Sequence, residues 1–473
     1  MNATQTDTAR QRATATGSDR RGRVVLGLLV SAQFLVMLDA SIVNVALPSI
    51  QSELDFGAAR VTWVVNAYVL AFAGLLLLSG RVADLFGRRR VFVWGALLFS
   101  AGSLAAALAV NQELLIAGRV VQGIGAAGLS PAAMALLLAT FHGPRRAWAM
   151  ATWGAASTLG GATGVVAGGL LAGTVGWRAV FLVTVPVSVA AVAVAGRVLP
   201  EDTVGVRRTF DWTGAAVVTA AVIALVHGAV DAVDHSWTSA RVLGLLGASA
   251  VLMVCFVAIE RRAHDPLVPI EVFASRTMRR ATGVALLGGA SRASTFVLVA
   301  LYLQQVLAMS PEQAGLAMVP TSLTGFAVSL LVLPRALGAF GPRRTLVVGL
   351  VILAAGHLWL AASPTDTGYA VTVLPGLLLV ATGVALSFTP TTMVLTAAAP
   401  ETLTGLASGL AAAAMQVGAA IGTAVFIIVG VSAGHQGDGS LNTSGFSAAF
   451  TAAAIVALST AVLGSRLTSP RRR

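Results

Sequence analysis

Three charged side chains lie deep in apolar stretches of the sequence: Asp39 in MLDASIVNVALP, Arg119 in LIAGRVVQGIGAA and Arg292 in ALLGGASRASTFVLVALYLQQ. A charge at the centre of a bilayer costs roughly 2.5–3.5 kcal/mol on the lenient insertion scale, so each needs a compensating group. For Asp39 the expected partner is Arg119, and Gln122, three residues on, shares that helical face. A carboxylate paired in this way in an apolar medium is suited to taking up and releasing a proton; the alternative is a static ion pair that only fixes helix packing. Ser41 and Asn44 are further polar groups on the Asp39 helix, and Asn44 either lines a cavity or bonds a neighbouring backbone. Arg292 sits about eleven residues from one end of its block, too deep to snorkel. With Ser291, Ser294, Thr295 and Gln304 it makes a helix polar enough to line a wet cavity, the competing use being an arginine capped by carbonyls between helices. His227 and His357 are expected to be packed and neutral.

These side chains must be carried by helices that cross a membrane. Of 473 residues, 56% are hydrophobic and 11% charged, with a mean hydropathy of +0.85, against about 45–50% and about 25% in soluble domains. The apolar residues fall into blocks long enough to span a bilayer as helices. They lie near residues 24–47, 61–80, 91–110, 114–139, 147–173, 179–199, 212–230, 240–259, 281–308, 314–338, 344–362, 370–398, 404–432 and 446–465. The expected fold is therefore all-α integral membrane, with 14 transmembrane helices. All 31 basic residues are arginines. With the amino terminus inside, 26 of them fall in cytoplasmic segments and only Arg60, Arg178 and Arg241 in outside loops. Short cytoplasmic loops carry such an excess, so both termini are expected inside a multi-pass protein of the plasma membrane. The net charge of +12 thus marks a membrane face and does not point to a nucleic-acid partner.

Without lysine, the phosphate-binding P-loop and Schiff-base chemistry are excluded. The single Cys255 offers neither a disulfide framework nor a thiolate metal cluster. No metal-ligand motif, nucleophile elbow or acid pair appears, so no metal, cofactor or enzymatic activity is expected. Residues 1–23 are polar and expected to form a disordered cytoplasmic tail. Arg20-Arg21 imitates an export signal, but the block that follows is too long for one and contains Asp39.

GRVADLFGRRR (80–90) recurs as PRALGAFGPRR (334–344) at an offset of 254, and Gly125, Gly160 and Gly164 recur as Gly383, Gly418 and Gly422 at an offset of 258. The chain accordingly divides into a six-helix bundle (24–199), two inserted helices with cytoplasmic linkers (200–280), a second, pseudo-symmetric six-helix bundle (281–465) and a basic cytoplasmic tail (466–473). Parallel repeats about an axis along the membrane normal are a transporter layout, with substrate held between the halves near mid-membrane. Ala156, Gly160, Gly164, Gly168 and Ala172 follow at intervals of four, a stripe that lets another helix approach closely. Its counterpart contains Gly405, Gly409, Gly418 and Gly422, and equivalent placement points to helices that slide at the interface of the halves. GIGAAG, with Gly123, Gly125 and Gly128, matches a dinucleotide fingerprint but lies in an apolar helix, without the preceding strand that fingerprint needs.

On these motifs residues 24–465 resemble the major facilitator superfamily, in particular its fourteen-helix drug:proton antiporter branch. LDASIVNVALP resembles that branch's first-helix motif and maps its proton-coupling acid to Asp39. GRVADLFGRRR resembles the superfamily's gating loop and maps it to Gly80, Asp84, Gly87, Arg88 and Arg89. LIAGRVVQGIGAA resembles the fourth-helix motif, mapping the proton-relay arginine to Arg119, with Gln122, Gly123 and Gly125. The sequence departs from the family at Leu85, which stands for a basic residue, at Thr184, which stands for a common Asn, and at Val165, where the branch usually has proline after glycine.

The resemblance implies proton-coupled efflux of small amphipathic compounds by alternating access, powered by the proton gradient without a cofactor, in a monomer surrounded by lipid. Ser41, Asn44, Gln122, Arg292, Thr295 and Gln304 are expected to line the substrate cavity. Two arginines against one aspartate within the spans favour neutral, zwitterionic or anionic compounds over dications. A proton-coupled importer on the same fold and a non-transporting membrane receptor or scaffold are the alternatives.

Overall fold

The computed structural model describes residues 3–199, 211–234, 239–263, 265–363, 368–434 and 442–467. The linker arginines Arg207 and Arg208 and the terminal arginines 471–473 lie outside them. Among the described residues there are helices and no strands, and thirteen helical segments are long and apolar enough to cross a membrane. The main helices are α1 (Ala3–Glu53), α2 (Trp63–Phe86), α3 (Arg88–Ala107), α4 (Gln112–Thr140), α5 (Gly143–Thr174), α6 (Thr184–Val198) and α7 (Trp212–Asp234). They continue as α8 (Ala240–Glu260), α9 (Arg276–Gln305), α10 (Val319–Ala327), α11 (Leu333–Ala361), α12 (Leu374–Ala397), α13 (Thr404–Gly434) and α14 (Thr443–Ser465).

Helix is what these apolar runs must form, because in lipid every backbone N–H and C=O has to be paired within the segment. Polar caps mark where several runs begin. Asn111 Oδ1 accepts from Leu114 N at 2.8 Å ahead of α4, and Asn442 Oδ1 accepts from Gly445 N at 2.9 Å ahead of α14. Ser310 and Gln313 form a reciprocal capping box before the segment that leads into α10.

One expectation changes. Residues 1–23, expected to be disordered, belong from Ala3 onward to α1; a helix already nucleated in the membrane propagates cheaply through a stretch containing Ala, Gln and Arg. Residues 314–338 and 344–362, expected as separate spans, belong to two helices that meet at a backbone break at Gly341, with φ 73° and ψ 169°. A π-helical stretch, Val328–Val332, lies in the first of them. Gly87, the counterpart of Gly341 in the repeat, takes φ 104° where α2 gives way to α3. A side chain would strain both positions, so glycine is what permits the turn in each repeat.

The same pairs pack in both repeats: α1 on α5 and α9 on α13, α3 on α4 and α11 on α12. Contact between the repeats runs through α2 with α13 and α5 with α10, again a related pair. The inserted helices α7 and α8 pack on each other, and α7 also touches α2 and α13.

The glycine stripes, expected at the interface of the halves, lie there at Gly405 and Gly409, while their other glycines pack within each repeat. A methyl group on Gly164 would stand 2.7 Å from the Leu38 carbonyl oxygen, one on Gly168 2.8 Å from that of Ile42, and one on Gly160 3.0 Å from Met37 Cβ, all in α1. Gly418 and Gly422 face α9 in the same way, a methyl on Gly422 standing 2.6 Å from Ala290 Cα. The absent side chains let each helix pair sit backbone to backbone, which is a packing role. Across the repeats the close glycines are Gly80 with Gly405 and Gly409, Gly154 against Thr389, and Gly325 against Thr158.

Candidate functional site

Asp39 of α1 and Arg119 of α4 are 0% and 1% exposed, and Arg119 Nη1 donates to Asp39 Oδ2 at 2.7 Å. Gln122 Nε2 donates to the other carboxylate oxygen at 2.6 Å and stands 2.8 Å from Ser103 Oγ of α3. Arg119 Nη1 also meets Gln122 Oε1 at 2.5 Å, and Arg119 Nε donates to the Val64 carbonyl of α2 at 2.8 Å. The guanidinium carbon lies 4.3 Å from the centre of the Tyr68 ring, a cation–π contact in a dry site. Thr184, at the start of α6, places its hydroxyl 3.0 Å from Ser103 Oγ. Five helices thus converge on one carboxylate whose two oxygens are both occupied. Opening either bond would leave a buried charge short of a partner, which ties the state of this carboxylate to that of the network around it.

A cavity of about 610 Å³ lies among α1, α5, α9, α10, α12 and α13. Ala40 and Ser41, the two residues after Asp39, line it from one repeat, and Arg292 lines it from the other. Arg292 is 3% exposed; its Nη1 is 3.4 Å from Ser387 Oγ and 3.4 Å from Thr391 Oγ1, and its Nη2 has no hydrogen-bond partner. Among the described residues no other charged side chain lines the cavity.

Of the six residues expected there, four lie elsewhere. Asn44 donates to the Ala40 carbonyl at 2.8 Å and Gln304 to the Ala300 carbonyl at 3.2 Å, each satisfied by its own helix one turn back. Thr295 donates to the Ser291 carbonyl at 2.8 Å and meets His357 Nε2 at 2.5 Å, away from the cavity wall. Gln122 is taken up by the Asp39 network. His227 has its Nε2 3.9 Å from Asp231 Oδ1 and its ring 5.3 Å from that of Trp63.

The gating-loop residues gather at one end of the molecule. Asp84 Oδ1 accepts from Gly405 N at 2.9 Å and Oδ2 from Leu406 N at 2.7 Å, so the carboxylate of α2 caps the first turn of α13. Orphan N–H groups and the positive end of the helix dipole both favour an anion there. Arg88 Nη2 is 3.1 Å from Asp84 Oδ1, and Arg89 Nη2 donates to the Gly196 carbonyl at 2.6 Å, near the end of α6. Gly80 lies against α13 as well: a methyl on it would stand 3.1 Å from Gly409 Cα. Arg81 Nη2 donates to the Pro266 carbonyl at 3.1 Å, tying the segment after the inserted helices to the same end.

Sequence reasoning passed over Ser103 and Tyr68 in the Asp39 network. It also passed over three cavity-lining hydroxyls without a partner, Thr321 in α10, Ser329 in the π-helical stretch and Thr389 in α12. A hydroxyl in an apolar helix is ordinarily satisfied by its own backbone, so nothing in the spacing singles these out. Gln33, six residues before Asp39, carried a stronger signal as a buried amide; its Nε2 donates to Ser157 Oγ at 2.9 Å and its Oε1 accepts from Ser130 at 3.1 Å. Among the described residues no cluster of three His, Cys, Asp or Glu side chains could hold a metal ion.

The sequence model of the Major Facilitator Superfamily matches residues 29–270 and 281–473. The cephamycin export protein CmcT of Amycolatopsis lactamdurans is 37% identical over 442 residues, covering 93% of this chain and 91% of that protein. The lincomycin resistance protein of Streptomyces lincolnensis is 36% identical, over 98% and 95% of the two chains. The tetracenomycin C resistance and export protein of Streptomyces glaucescens is 36% identical, over 86% and 76%. Among solved structures, the human organic anion transporter MFSD10 (TETRAN) shares the fold with a TM-score of 0.68 at 17% identity, over 94% of this chain and 99% of that one. The proton:xylose symporter XylE gives 0.67 at 15% identity, over 94% and 95%.

Proposed function

Because the chain belongs to the major facilitator superfamily, we propose that it exports small amphipathic compounds, antibiotics or other drugs, in exchange for protons. The observation that carries this reading is a solvent-free Asp39–Arg119 pair one residue away from Ala40 on the wall of the cavity. The export direction is supported by relatives named for antibiotic export and resistance. Counting the break at Gly341 as a loop, the chain crosses the membrane fourteen times, as six helices, two inserted helices and six helices, with both termini in the cytoplasm. The arginine-rich gating loop then lies on the cytoplasmic face, and Asp84 on the first turn of α13 holds that face closed.

In this cycle Asp39 loads a proton from outside as its bond to Arg119 opens, the repeats rock, and the proton leaves inward while substrate moves outward. One acid implies one proton per turn. Each charge moved through 100 mV is worth about 2.3 kcal/mol, enough for roughly a fortyfold gradient of an uncharged substrate. The protein works as a monomer in the plasma membrane, with the proton gradient as its energy source. Everted vesicles from a strain lacking its own pumps test this: compounds to which the chain confers resistance should release protons from an acidified lumen. Resistance without substrate-dependent proton movement would refute the exchange.

A further inference from the structure

We propose that Arg292 is the anchor for an anionic group on the exported compound, so that the preferred substrates are amphipaths carrying a single carboxylate; this rests on the exporter reading above. The two repeats carry opposite charges one helical position apart. Gly164 meets Leu38 as Gly422 meets Ala290, so Arg292 corresponds to Ala40, the residue after Asp39 and itself on the cavity wall. The helices concerned, α1 and α9, each pack on the related partner, α5 and α13. Only one of the two charges is matched by the protein. Asp39 has Arg119 and Gln122 on its two oxygens, whereas the stretch of the second repeat that corresponds to Arg119, residues 373–377, reads VLPGL and supplies no acid.

Arg292 therefore stands over the cavity with two hydroxyl contacts at 3.4 Å and one nitrogen without a partner. A buried cation in that condition gains from any anion that enters. The surrounding chemistry fits a carboxylate. Thr321, Ser329 and Thr389 line the same cavity with hydroxyls that have no partner, all from the second repeat, and each can donate to an oxygen-rich group. Met37, Phe296, Met318, Val384 and Phe388 supply an apolar wall for the rest of the molecule. A volume of about 610 Å³ is that of a drug-sized site. The first repeat thus handles the proton and the second the charge of the cargo.

The test compares three ligands of one shape on the purified full chain in nanodiscs: 2-naphthylacetate, the isosteric 2-naphthylacetamide and the cation 2-(2-naphthyl)ethylammonium. Hydrogen bonds to a charged group are worth about 1.5–3 kcal/mol, so the carboxylate should bind roughly 10- to 150-fold more tightly than the amide. The cation should bind most weakly. In Arg292→Gln the ratio of carboxylate to amide affinity should collapse towards one, and in Arg292→Lys it should be partly kept. Equal affinity of the wild-type protein for carboxylate and amide overturns the assignment and needs no variant, so a misfolded Arg292→Gln does not protect it. An unchanged ratio in folded Arg292→Gln overturns it too. Failure of all three ligands to bind overturns the assignment as well, whereas the exporter reading falls separately, on resistance without substrate-dependent proton movement.

Discussion

Replacing Asp39 with Asn removes one charge from a site where no water can take its place. Arg119 would keep its bond to the Val64 carbonyl at 2.8 Å, its contact with Gln122 and the Tyr68 ring, but not its counter-ion. Breaking a buried pair by removing one partner costs about 3–5 kcal/mol, because the remaining charge is uncompensated. Asn can still offer Arg119 an oxygen, so D39N is expected near the lower end, about 3 kcal/mol. R119Q alone should cost a similar amount, leaving a bare carboxylate. The double variant D39N/R119Q carries no net charge in the site, and its cost should fall short of the sum of the single costs by about 2 kcal/mol or more. Thermal unfolding of the four proteins in the same detergent gives the coupling. Both D39N and the double variant should fail to move substrate under an imposed pH gradient, so regained stability would not bring regained transport. Additive destabilisation would refute the account of the pair, and full pH-driven efflux by D39N would refute Asp39 as the proton site.

Other consequences are equally open to measurement. Asp84→Asn weakens the cap on α13 and the contact with Arg88, a loss of about 1 kcal/mol; a cysteine replacing Ser41, in a background without Cys255, should then react several times faster with a cytoplasmic maleimide, and an unchanged rate would count against the latch. Gly409→Leu puts a side chain where α2 and α13 meet, so the protein should fold yet remain unable to close that end, read as loss of transport with normal insertion. Ser103→Val deprives the Gln122 amide and the Thr184 hydroxyl of a partner and should cost about 1–3 kcal/mol in unfolding, a shift that a merely apolar Ser103 position would not give. With valinomycin setting the potential, an added 100 mV should raise the limiting gradient of a neutral substrate about fortyfold and that of a monoanion by the square of that factor; indifference to potential would contradict net charge movement.

What could be read in the sequence follows from how costly each residue is to misplace. Asp39 and Arg119 stand out because charges in apolar runs demand partners, and Gln122 follows from helical spacing. Asn44, Thr295 and Gln304 mislead for the converse reason: a short or flexible polar side chain can bond its own helix's carbonyl, and the sequence does not say which face it turns. The glycine stripes announce a close approach without naming the partner: α1 or α9 takes that place for most of them, and α2 of the other repeat for Gly405 and Gly409. The repeat at Gly87 and Gly341 is visible as sequence, and the same positive φ separates two helices in each repeat.

At the gating-loop end of the molecule, Gly80, Gly405 and Gly409 bring α2 and α13 together with no side chain between the backbones. A closure of that kind has no adjustable part. At the cavity wall a methionine can become a leucine, or a threonine a serine, and the range of accepted compounds shifts by degrees. At these three positions the smallest addition, a single methyl group, already wedges the helices apart. Variants with altered drug profiles selected under antibiotic pressure should therefore accumulate around the cavity and leave this seam alone, so that the molecule adapts what it carries without renegotiating how it shuts.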